Sequence, residues 1–258
     1  MSDSSNEQQN NRFHFSLVPE ILFHPRRCFQ RISSYTSPVW LTPLLILSLV
    51  TLINVFAVGK IKNQAALLGE ISYPPDFEYY SPEQQAQYLQ AIQSTQRPVF
   101  IYVLPAITSL LGIWFGWLIL GGLLHLVTTL FGGRGSTTIS LNIVAWSSLP
   151  LGLREIIQFI YVLISHKLIK SPGLSGFGPI DDSGFSIFFS QMLTMIDIYL
   201  IWQVVLLILG VRASAGLNPS KSFFCVILTV MIIFLLQTGI SYAGHVLGNL
   251  NITRPFFF

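Results

Sequence analysis

Charged side chains are scarce in this chain. Asp, Glu, Lys and Arg make up 10% of its 258 residues, against roughly 25% in an ordinary soluble domain. So thin a supply does not clothe a water-soluble globule. The net charge of +3 is too small to hold a nucleic acid. Cysteine is nearly absent: Cys28 and Cys225 stand far apart, which excludes a disulfide framework and a metal-ligand spacing. The first thirty residues hold no apolar run behind a basic start, so no secretory signal is expected. Catalytic signatures are missing too. Gly132-Gly133-Arg134-Gly135 lacks the Gly-Lys-Ser/Thr ending of a phosphate loop. Ser147 and Ser148 have no nucleophile elbow or partner histidine. His125 has neither an HExxH frame nor a second histidine nearby, and reads as a structural, hydrogen-bonded side chain rather than a metal ligand. No enzyme activity, cofactor or metal is expected.

What the chain has is hydrocarbon: 52% apolar residues and a mean hydropathy of +0.61. Five apolar runs are long enough to cross a bilayer, which takes about 20 residues. They lie at about 39–58, 99–131, 139–164, 187–211 and 223–246. The expected fold is all-α, a polytopic bundle of five transmembrane helices in a lipid bilayer, with an N-terminal amphipathic interfacial helix. Around the membrane domain, 38–246, the reading places a disordered tail at 1–17, the interfacial segment at 18–37, an outer loop at 59–98 and a C-terminal tail at 247–258. In the interfacial segment Pro25 suits a first helical turn. Cys28, Phe29 and Ile32 share one face and Arg26, Arg27 and Arg31 lie largely on the others, as on a helix lying at a membrane surface. A plain basic flank that fixes topology is compatible with the same residues. In the outer loop Ser81 caps a helix opened by Pro82.

The stretch 121–155 organises the rest. One apolar run stops at Gly132-Gly133, residues suited to the left-handed positions that end a helix. Ser136, Thr137 or Thr138 can cap the next helix. Pro150 and Gly152 interrupt that helix, and Arg154-Glu155 follows. Intramembrane ionisable residues are functional candidates by default, so Arg154, Glu155 and Asp197 stand out. Arg154 and Asp197 each lie about ten residues from the outer end of their span, which puts both roughly 15 Å deep, and they are expected to pair. Glu155 is the rival partner, although adjacent helix positions point about 100° apart. Asn142, Gln158, Gln191, Gln203 and Gln237 either bond across helices or line a polar path. Gly112 and Gly116 form a GxxxG spacing that lets helices approach, within one chain or across a homodimer.

Several stretches resemble the Yip1-domain family. The first is Pro25 with Phe29 before span one. The second joins His125, the Gly132-Gly133 turn, Trp146 and Pro150. The third runs from Trp202 through Gly210 to Arg212. The likeness covers roughly residues 20–245. It implies five membrane helices with a cytoplasmic N-terminus. Arg26, Arg27, Arg31, Arg134, Arg212 and Lys221 then fall inside, in accord with the positive-inside rule, and the C-terminus falls outside. Eukaryotic members are linked to vesicle traffic and Rab-type GTPases, and their cytosolic region typically carries an Asp-Leu-Tyr-Gly-Pro motif. This chain lacks that motif, which argues against GTPase binding. The composition is similar to prokaryotic members of the cell membrane, some of which accompany ABC-type exporters. The leading expectation is a non-catalytic adaptor or scaffold of an export or trafficking complex. The alternative is a small transporter or channel subunit using the polar intramembrane residues.

Overall fold

The computed structural model describes residues 13–248 apart from 36, 68–76, 168, 170 and 180–183. For 62–67, 92, 95 and 244–248 it describes the backbone alone. The tail 249–258, most of the N-terminal tail, and the middle of the outer loop therefore lie outside the described residues. Every regular element described is helical. In chain order these are α1 (Leu17–Phe23), α2 (Pro25–Ser34), α3 (Leu41–Leu67), α4 (Pro82–Thr95), α5 (Leu104–Leu130), α6 (Thr137–Ser147), α7 (Leu149–Ser165), α8 (Gly184–Met195), α9 (Ile198–Ser214) and α10 (Pro219–Gly248). A π-turn, Val99–Val103, leads into α5, which carries Pro105 near its start.

Four stretches are long and apolar enough to cross a membrane: Leu41–Ile61, Val99–Leu130, Thr137–Ser165 and Pro219–Ala243. The bent pair α8–α9 makes a fifth if it counts as one span. Helix α3 continues past the expected end at Val58 to Leu67, which puts Lys60 on the helix rather than in the loop.

Consecutive spans run up and down. The turn after α5 shows why. Gly132 takes φ +89°, and the N–H groups of Gly132 and Gly133 bond the carbonyls of Thr129 (3.0 Å) and Thr128 (2.8 Å), closing the helix end. Gly133 does not adopt a positive φ, contrary to the expectation for both glycines. It is small for another reason: a Cβ there would stand 2.8 Å from the Thr128 carbonyl oxygen. Ser136 then caps α6 by accepting the Ile139 N–H at 3.3 Å. The Arg134 N–H reaches the Ala215 carbonyl at 3.1 Å, so the turns after α5 and after α9 lie together at one end of the bundle, the turn end.

The expected fourth span is not one continuous helix. It breaks at Ile196–Asp197, and α8 and α9 meet at 67°. No proline causes this. The last carbonyls of α8 are taken by a preceding loop: the Leu174 N–H bonds Leu193 (2.9 Å) and Ile196 (3.1 Å). Gly173, at φ +60°, lies so close that a Cβ would meet three carbonyl oxygens at 2.6–2.8 Å. Asp197 restarts the chain as the N-cap of α9, accepting the Leu200 N–H at 2.8 Å.

The N-terminal segment also departs from expectation. Cys28, Phe29 and Ile32 do share a face, but that face is buried in the bundle core with Leu206, Leu207, Val211 and Ile143. Burying each such side chain contributes about 1.5–3 kcal/mol, and here the protein rather than lipid covers them. The expected disordered tail ends earlier than residue 17: Leu17 is fully buried, and the His14 N–H bonds Thr42 Oγ1 at 2.8 Å.

Candidate functional site

Two groups of residues gather the features singled out in the sequence. The first lies near the turn end. Pro25 opens α2 and sets Phe29 against α9 at Gly210. A Cβ at Gly210 would stand 3.1 Å from the Phe29 ring and would overlap the Ile143 side chain. Asn142 on α6 accepts the Val39 N–H (2.9 Å) and donates to the Ser37 carbonyl (3.3 Å). Trp146, wholly buried, donates its indole N–H to the Val39 carbonyl at 3.1 Å. The linker between α2 and α3 is thus stitched to α6 through buried polar groups with no exposed reactive atom. Trp202 packs on the same core, and Arg212 is exposed in the last turn of α9, where a cation suits the helix C-terminus.

The second group joins three helices at the α8–α9 break. Arg154 Nη1 lies 3.2 Å from Asp197 Oδ2, and Arg154 Nη2 lies 3.8 Å from Glu155 Oε1. The two candidate partners are therefore not exclusive; Arg154 meets both carboxylates. Glu155 Oε2 in turn accepts a hydrogen bond from Asn54 Nδ2 on α3. Asp197 divides its oxygens between the guanidinium and the α9 cap. The side chains of Arg154, Glu155 and Asp197 are only 14%, 13% and 17% exposed. Asn54 Oδ1 and Arg154 Nε are buried without a protein partner. The position follows from the backbone. Arg154 stands about 26 Å along the span from Thr137 and Asp197 about as far up α9 from Ser214, at ~1.5 Å per residue. The equal rise brings them level. Asn54 was not among the residues singled out in the sequence. Its signal was available, since it is the one amide or charge between Leu41 and Val58.

Other candidates fall elsewhere. His125 has a buried Nδ1 with no protein partner, and its carbonyl accepts the Thr129 hydroxyl at 2.8 Å. Pro150 lies buried in the first turn of α7. Gln203 donates to Ser148 Oγ at 3.1 Å where α6 meets α7. Gly112 and Gly116 are buried on the inward stripe of α5 with Leu120 and Leu124, so their closeness serves packing inside one chain.

Helical spans alternating in direction, a broken span and a partly buried ion cluster at the break define a polytopic integral membrane protein. The Yip1 domain family model matches residues 20–240, and the chain belongs to that family. No curated protein matches it, and no solved structure does.

Proposed function

We propose that this chain is a non-catalytic membrane adaptor or scaffold, an accessory of an export or trafficking complex such as an ABC-type exporter. It would sit in a prokaryotic cell membrane with its N-terminus cytoplasmic and its C-terminus outside. The observation that carries the reading is the segment 77–95 between α3 and α5. It is folded on itself: Phe77 packs its ring on Tyr80 and Tyr88 at 5.8 and 5.3 Å, and Gln85 Nε2 donates to the Phe77 and Tyr80 carbonyls at 3.1 and 3.2 Å. Ser81 Oγ accepts the Gln84 N–H while Gln84 Oε1 accepts the Ser81 N–H, a capping box. Yet no described residue of α4 is buried, and Tyr79 is 87% exposed. An ordered unit with an exposed aromatic at its tip suits contact with another protein. Replacing 77–95 by a flexible linker tests this. The bundle should melt unchanged in detergent, while proteins recovered with the wild type by affinity purification should be lost. Unchanged recovery and an unchanged cellular phenotype would refute the adaptor reading.

The buried polar atoms favour a second reading, a small transporter or channel subunit. Gln203 Oε1, Ser147 Oγ and both amide atoms of Gln237 have no protein partner. Broken helices often line substrate paths in transporters. Asp197→Asn protein that folds normally but loses solute flux in vesicles would support it.

A further inference from the structure

We propose that a recess between α3 and α7, at the end of the bundle opposite the turn end, binds the phosphate of an anionic phospholipid. Ala57, Lys60 and Ile61 of α3 line it together with Val162, Leu163 and His166 from α7 and its end. The recess has a volume of about 80 Å³, room for a headgroup phosphate. Its chemistry is divided. Four of the lining residues are aliphatic, and the other two, Lys60 and His166, carry nitrogen-bearing side chains. Among the described residues no carboxylate lines it.

The division falls where a lipid has its own. Helices α3 and α7 run parallel, so Asn54 meets Glu155 and, about two turns further along α3 and three along α7, Lys60 and His166 line the same recess. Both stand where apolar spans stop, at Leu41–Ile61 and Thr137–Ser165. Leu163 and Ile164 beside them are exposed, as chains facing acyl tails would be. A cationic group at that depth meets phosphate, and the aliphatic walls meet the glycerol and the start of the tails.

The backbone adds an independent observation. His166 has φ +53°, and no other non-glycine residue described has a positive φ. It ends α7 in the position that glycine usually fills, its N–H on the Val162 carbonyl at 3.1 Å. Ser165 Oγ accepts the Lys167 N–H at 3.2 Å and fixes the chain just beyond. A side chain held in a disfavoured conformation beside a cationic recess points to a role for that side chain.

This makes His166→Gly an informative variant, because glycine keeps the left-handed turn and removes only the ring. Full-length protein would be reconstituted in phosphatidylcholine vesicles doped with phosphatidylglycerol, extracted in mild detergent and weighed by native mass spectrometry for retained lipid. Wild type should retain phosphatidylglycerol over phosphatidylcholine. Lys60→Gln and His166→Gly should each melt like wild type; the first should cut that preference about fivefold, the factor one lysine contributes near an anionic surface, and the second should lower it as well. Folded variants that keep the wild-type preference would overturn the proposal. So would inorganic phosphate displacing the lipid at millimolar concentration, since the recess would then be a site for free anions.

Discussion

Phe29 of α2 rests on the bare backbone of Gly210 in α9, its ring 3.1 Å from where a Cβ would be. Because Ile143 closes the other side, the three helices α2, α6 and α9 meet where one of them has no side chain. Gly210→Ala should destabilise the protein by about 1–3 kcal/mol through overpacking, read as a lower melting temperature in detergent. Adding Ile143→Ala makes room and should recover part of the loss. If Gly210→Ala melts like wild type, the junction is looser than the contact implies.

Asp197 does two jobs that substitution can separate. Asn keeps an N-cap for Leu200 and removes the charge; Ala removes both. The cap is worth about 1 kcal/mol, so Asp197→Ala should melt below Asp197→Asn by about that amount. Arg154→Ala leaves two carboxylates without their cation and should cost about 3–5 kcal/mol. The exchange Arg154→Asp with Asp197→Arg should fold where each single reversal fails, though short of wild type because arginine cannot cap α9. Single reversals that fold normally would remove the structural role of the pair.

Cys28 is sealed beneath α1, its thiol donating to the Leu17 carbonyl at 3.8 Å. Burial pushes the thiol up to about 12, with the charge of Glu20 adding to the effect and Arg31 opposing it. An unfolded cysteine titrates near 8.5. The folded state therefore favours the neutral thiol. The stability it contributes is whole below about pH 8.5 and is lost as pH climbs towards 12. In a Cys225→Ser background, a maleimide at about pH 8 should label native protein at least about a thousandfold more slowly than denatured protein. Equal rates would mean that α1 does not cover the thiol.

A topology experiment addresses the proposed orientation. A reporter fused after Ser220 should lie in the cytoplasm, and one inserted near Gln85 should lie outside. Both on one side would contradict a bundle whose turns after α5 and α9 share an end.

The helical class and the spans were legible in the sequence because water cannot solvate runs of twenty apolar residues, and few folds accept them. The level of Arg154 with Asp197 was legible for a related reason: rise per residue is fixed, so counting along antiparallel spans predicts which side chains can meet. The break at Ile196–Asp197 was not. High hydropathy continues through it, and its cause is Gly173 and Leu174, some twenty residues earlier in the chain, taking the carbonyls that would have bonded the next turn. The common face of Cys28, Phe29 and Ile32 follows from helical period. Whether lipid or protein covers it depends on Gly210, far along the chain, and periodicity carries no information about that. Asn54 was overlooked because a single amide in a span is ordinary until its partner is known.

The bond from the Arg134 N–H to the Ala215 carbonyl also sets a timetable. Its acceptor is made roughly eighty residues after its donor, a lag of about 4–16 s at a synthesis rate of 5–20 residues per second. During that lag the two spans joined by this turn are made, while the turn still bonds water at the membrane surface. The turn becomes fully tied only when α9 arrives beside it. A ribosome-bound chain stalled before Ala215 should therefore exchange the Arg134 amide proton freely, and release of the finished chain should protect it. In this protein the last stitch of the second turn belongs to the fourth.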